Sequence, residues 1–183
     1  MSIIKGFSNF KIKITPRYSN WWSFDLEFLY KEKPVINPEI LRSSVFSSDE
    51  YKEGSFLSFL EQIIECKEDN QYLSWNSWED EVDIQVYSHM KNFDKGTDGG
   101  FDFSFFISEE FFEGGNQHYG FQDVGIKLSV DREGVKKLYE DLKKEMSEIA
   151  KKTIEELSQR NDKGYDDHVT LLKKFVGKEK LPE

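Results

Sequence analysis

The chain has 183 residues, 33% of them charged and 37% hydrophobic, which fits one soluble domain with a substantial core. Its formal net charge of −10 argues against nucleic acid or an anionic membrane surface as a direct partner and permits a basic protein. A single cysteine, Cys66, excludes an intrachain disulfide and suits a reducing compartment.

The chain begins MSIIKGFSNFKIKITPR, with no long apolar stretch and no small-residue cleavage site. No window approaches the ~20 apolar residues of a membrane span, so a cytoplasmic protein is expected. Strict alternation then dominates. FKIKITP sets Phe10, Ile12 and Ile14 on one face and Lys11 and Lys13 on the other. WWSFDLEFLY sets Trp22, Phe24, Leu26 and Phe28 against Asp25 and Glu27. Next comes a helical pattern, GSFLSFLEQIIECKE, with Phe56, Leu57, Leu60, Ile63 and Ile64 at helical spacing and Ser55 as N-cap.

Alternation resumes after the helix, with 72–75 a possible short strand. VDIQVYS turns Val82, Ile84 and Val86 inward and Asp83, Gln85 and Tyr87 outward. GFDFSFFI turns Phe101, Phe103, Phe105 and Ile107 inward and Asp102, Ser104 and Phe106 outward. VGIKLSV turns Val124, Ile126, Leu128 and Val130 inward, with Lys127 and Ser129 out. The Gly- and Asn-containing stretches at 89–100 and 109–120 read as turns.

From Asp131, a natural cap, the spacing of Val135, Leu138, Leu142, Met146, Ile149, Ile154 and Leu157 predicts a helix to about Arg160. Its outer face carries Glu140, Lys144, Glu148, Lys152, Glu156 and Arg160 at four-residue steps, each pair adding only ~0.2–0.5 kcal/mol. After a break at Asn161 and Gly164, a short final amphipathic helix is expected in DDHVTLLKKFVGKEKLPE. The fold expected is α+β: a mostly antiparallel sheet of about five strands, with helices at about 54–67 and 131–160 covering one face. A single domain, 1–183, is expected, with an acidic strand-rich part (1–130) and a helical part (131–183). The helical part carries 13 acids and 13 bases, so the whole charge excess lies before it.

Chemistry finds little support. His89, His118 and His168 stand apart, and Asp166, Asp167 and His168 read as a loop charge cluster before they read as ligands. The DKGTDGGFD stretch lacks the regular acidic positions of a calcium loop. Cys66 reads as a packed residue, and no nucleophile elbow or phosphate-cradling loop occurs. No catalytic residue, metal or cofactor is expected. The consecutive acids Glu79, Asp80 and Glu81, with Trp75 and Trp78 nearby, form the best enzyme alternative, a carboxylate-dependent hydrolase. Those tryptophans fit equally as core residues or as anchors of a protein interface. A third alternative is an oligomeric structural protein built on the long helix.

The order of elements, from WWSFDLEFLY through GSFLSFLEQIIEC and LSWNSWEDEVDIQVYS to VGIKLSVDREGVKKLYEDLKKEM, resembles the small bacterial immunity-type proteins of the WapI-like group over roughly residues 20–146. That resemblance implies a non-catalytic protein that binds and neutralises a polymorphic toxin, often a nuclease, inside the producing cell. The expected contacts with a basic partner are Glu79, Asp80, Glu81, Asp83, Asp102, Tyr87 and Trp78. Carboxylates would supply attraction and rings would supply contact area. The oligomeric state is left open.

Overall fold

The computed structural model describes residues 2–5, 9–35, 46–78, 81–89, 99–108, 123–160 and 163–177. The segments read as turns, with His118, lie almost entirely outside these residues, as do Glu79 and Asp80 and the side chains of Val124 and Arg160.

The fold is α+β, with antiparallel strands throughout, but the strands divide between two sheets. In the first, the order is β1 (Ser2–Lys5), β2 (Phe10–Tyr18), β3 (Trp22–Tyr30) and β4 (Lys33–Pro34). The short β5 (Phe46–Ser48) shares the outer edge of β3 with β4. The second is a meander of β6 (Tyr72–Asn76), β7 (Val82–His89), β8 (Gly100–Ser108) and β9 (Asp123–Asp131). Helix α1 (Phe56–Glu65) lies between the sheets in sequence. Helices α2 (Arg132–Arg160) and α3 (Asp166–Gly177) follow.

The expected in-facing residues build the core. Ile12, Ile14, Trp22, Phe24, Leu26 and Phe28 from the first sheet join Val82, Ile84, Val86, Phe101, Phe103, Phe105 and Ile107 from the second in one buried cluster. Rings fasten the sheets together: Phe24 stacks on Phe46 at 4.8 Å, and both meet Phe56 of α1 edge-on, at 5.5 and 5.2 Å. Trp75 of β6 closes the group, 5.2 Å from Phe56 and 5.6 Å from Phe46. Each fully buried Phe stabilises by about 1.5–3 kcal/mol, and each ring pair adds about 0.5–1.5. The single backbone bond between the sheets in this region, Trp78 N–H to Ser47 C=O at 3.1 Å, contributes about 1 kcal/mol. Ring burial therefore decides the junction, and the hydrogen bond sets its register.

Helix α1 starts where Ser55 Oγ accepts from Ser58 N–H at 3.1 Å. Glu50, itself buried, accepts from Phe56 N–H and Leu57 N–H, both at 3.1 Å. At the other end Arg132, the first residue of α2, donates to the carbonyls of Ile64 and Cys66. Helix α2 buries Val135, Leu138, Leu142, Met146 and Ala150, packing on α1, β1 and β2. Beyond Ala150 it carries only the half-buried Ile154 and Leu157 on its apolar side. There α3 folds back on it, burying Leu172 and Phe175. The long helix thus spends its second half on a neighbour from its own chain. Of its expected charge ladder, Lys152 and Glu156 approach to 3.8 Å.

Candidate protein-docking face

The second sheet turns one face to the core and leaves the other open among the described residues. Alternation along β6 carries past its end, with Tyr72, Ser74, Asn76 and Trp78 exposed and Trp75 and Ser77 buried. Cross-strand register then places Tyr72 beside Tyr87 and Asn76 beside Asp83. On the far side of β7, Phe106 lies opposite Asp83 and Asp102 opposite Tyr87. Tyr72 and Tyr87 are each 46% exposed with rings 5.0 Å apart, and Trp78 is 68% exposed. Such exposure of a ring pair and a tryptophan along one hairpin is uncommon for a surface that meets only water.

Phe106 is flattened against β9. A Cβ on its partner, Gly125, would come within 3.3 Å of the ring, so glycine there lets the ring lie across the strand. Beside it the face sinks into a concavity of about 660 Å³, with Tyr87, Asp102, Ser104, Lys127 and Ser129 among its walls. Asp102 is fixed from two sides. Ser129 Oγ donates to Oδ1 at 2.5 Å, and His89 Nε2 pairs with Oδ2 at 2.8 Å.

This His–Asp–Ser group is wired differently from a nucleophilic triad. There the imidazole takes the serine proton and the carboxylate orients the imidazole. Here the serine is bonded to the carboxylate, so the arrangement positions Asp102 and does not activate Ser129. Among the described residues no group of three His, Cys, Asp or Glu side chains is placed to hold a metal ion.

The structure sorts the expected contacts. Trp78, Asp83, Tyr87 and Asp102 share the open face or its rim. Glu79 and Asp80 lie outside the described residues. Glu81 is turned inward, a correction to its expected place on the surface: it is buried, its carboxylate accepts from Ser47 N–H at 3.4 Å and Ser47 Oγ at 3.0 Å, and its carbonyl accepts from Ser108 N–H. Beside it Ser77 N–H donates to Val82 C=O at 2.9 Å, and Glu81 reaches β5, where it joins the two sheets. Its carboxylate is therefore committed to the junction of the two sheets. Trp75 resolves as a core residue, its indole N–H bonded to Gly54 C=O at 2.9 Å.

The outward acids Asp25, Glu27, Asp83 and Asp102 do not share one face. Asp25 and Glu27 belong to the other sheet and meet bases there: Arg17 with Asp25 at 2.5 Å and Lys13 with Glu27 at 2.8 Å. Burial pushes the Asp25 carboxyl above the ordinary carboxylate range, with Arg17 pulling it back in part. Among the described residues, exposed acids between the first sheet and β6 cluster around α1, at Glu53, Glu61, Glu65 and Glu68. Trp78 stands at the near end of that region, forming a hollow of about 310 Å³ with Asp49, Glu53 and Asn76.

Sequence reasoning did not single out Tyr72, which lies in the short strand flagged only as possible. The outward parity of residues 72, 74, 76 and 78 was its available signal. No helix of the described residues is long and apolar enough to cross a membrane. No protein-family model, curated protein or solved structure matches the chain.

Proposed function

We propose that this is a non-catalytic cytoplasmic binding protein whose open sheet face docks a basic protein domain. The WapI-like resemblance implies such a role, that of an immunity protein blocking a toxin such as a nuclease. The observation that carries the reading is the row of exposed rings, Tyr72, Tyr87 and Trp78, on a face otherwise lined by polar groups. Trp78 lies six residues from Tyr72, about 20 Å at strand spacing, a span that suits a standard interface patch. Tyrosine and tryptophan supply large contact area at small entropic cost, and they dominate the binding energy of most interfaces. The acids around α1 and the net charge of −10 add long-range attraction for a basic partner. Occlusion of the partner's substrate-binding surface would then neutralise it without chemistry.

The test is binding to the protein encoded by the neighbouring upstream reading frame, followed by calorimetry. Trp78→Ala with Tyr87→Ala should weaken association at least thirtyfold, the factor expected for hot-spot residues of roughly 2 kcal/mol or more. Both side chains are exposed, so folding should survive. Undiminished affinity in the double variant would remove the face from the interface.

A further inference from the structure

The concavity on the open face contains a charge that contradicts the simplest version of an acid-for-base surface. Asp102, its carboxylate, has both oxygens engaged, by Ser129 and His89. Lys127 stands in the same concavity, on β9 opposite Ser104, as an exposed cation with no hydrogen bond or ion pair among the described residues. The Ser104 and Tyr87 hydroxyls beside it make no hydrogen bond among the described residues either. Of the unengaged groups, Lys127 is donor-only and the two hydroxyls each have a proton to give, while Gln85, whose Nε2 donates to Asp83 at 2.7 Å, offers its Oε1 as an acceptor. A carboxylate is the complementary group, because ionised it only accepts and bears the charge that Lys127 lacks. An incoming guanidinium would instead meet Lys127 as a like charge and find Asp102 already bonded twice.

From this inventory we infer that the concavity receives an acidic side chain, Glu or Asp, from the docked protein, with Lys127 as its counter-ion and Ser104 and Tyr87 as hydroxyl donors. The inference rests on the docking-face reading and gives that face two polarities. The rim near Trp78 offers Glu53 to a base, Asp49 there being paired with Lys52 at 2.8 Å, and the concavity between β7 and β9 selects one acid. A partner that was merely basic would leave Lys127 buried against like charge, so the pair discriminates among partners carrying similar overall charge.

Capped tripeptides test the concavity without the partner. Acetyl-Gly-Glu-Gly-amide, its Gln counterpart and its Arg counterpart are titrated at millimolar concentration into the full ¹⁵N-labelled chain. The Glu peptide should shift the amides of Ser104, Lys127 and Ser129, and the Gln peptide should not. In Lys127→Met, which neutralises an exposed side chain, the Glu response should weaken about fivefold, as expected for loss of one solvent-accessible ion pair. Four outcomes overturn the inference: no response to any peptide, equal response to Glu and Gln, an Arg response at these amides, or a Glu response unchanged by Lys127→Met. None of these touches the ring-dependent docking measured with Trp78 and Tyr87, so the two readings fail separately.

Discussion

Gly134 has no room for a methyl group. A Cβ there would lie 2.8 Å from Val130 Cγ1 and 2.9 Å from Asp131 Oδ1. Val130 is fully buried, and Asp131 Oδ1 is the cap that accepts Gly134 N–H at 2.6 Å. Alanine gains about 1 kcal/mol in helix propensity, but overpacking costs about 1–3 and a disturbed cap about 1 more. Gly134→Ala should therefore destabilise by about 1–3 kcal/mol in urea unfolding, and a stabilised variant would show that the turn relaxes freely. The Asp131 cap was readable from sequence as the last polar residue before a helical pattern. The glycine was not, since its need arises from Val130 packing back across the β9–α2 corner.

Glu50 shows a second residue-scale effect. Burial raises its carboxyl pKa, and the opposing bonds from Ser48, Ser55 and the first N–H groups of α1 offset only part of that rise. A carboxyl with a folded-state pKa above its unfolded value holds its proton more tightly in the fold. Its stabilisation is complete below the unfolded value and is lost as pH rises through the folded one. Unfolding free energies of the native chain and Glu50→Gln, measured from about pH 4 to about pH 8, should differ progressively less in the native chain's favour as pH increases. A difference that grows with pH would mean the helix N-terminus outweighs burial.

At the scale of elements, α3 is held by few contacts of high value. Phe175 packs on Trp22 at 5.3 Å and Tyr51 at 6.4 Å, Leu172 is fully buried, and Tyr18 OH meets His168 Nδ1 at 3.1 Å. Truncating a buried Phe costs about 3–5 kcal/mol, more than the remaining contacts of so short a helix supply. Phe175→Ala should thus release α3 locally, with hydrogen-exchange protection lost over 166–177 and kept in β7 and β8. Uniform loss across the chain would show that α3 unfolds only with the core. The helices and the long strands were legible because each carries its own period: Ile12 and Ile14, Phe24 and Phe28, Leu138 and Leu142. The division into two sheets was not, because it depends on pairings far apart in sequence. Phe46–Ser48 has three buried residues in a row, which shows no alternation. It is a strand because Phe24 and Trp22 lie on one side of it and Trp78 on the other. The same missing information misplaced the acids: period-2 reading assigns Asp25 and Asp102 to an outward face, but only strand order says whether that face is shared.

Across the whole molecule, charge and rings occupy different places and should govern different steps of association. Exposed acids at Glu53, Glu61, Glu65 and Glu68 gather around α1, those on α2 are interleaved with lysines, and the first sheet neutralises Asp25 and Glu27 within itself. The open face between Tyr72 and Phe106 carries rings, a fixed Asp102 and Lys127, which has no ion pair among the described residues. Dispersed charge acts over a Debye length, about 10 Å at 0.1 M salt, and so affects encounter more than contact. Desolvated rings act only once contact is made and so set the dissociation rate. With a basic partner, raising salt from about 0.02 M to about 0.5 M should slow association roughly tenfold and change dissociation far less. Trp78→Ala should do the reverse in stopped-flow measurements, speeding dissociation while leaving association and its salt slope nearly intact. Reversing charge at Glu61 and Glu65, remote from the rings, should lower the association rate alone. Equal effects of salt on both rates would place the acids inside the interface, and the rings would then share the contact with α1.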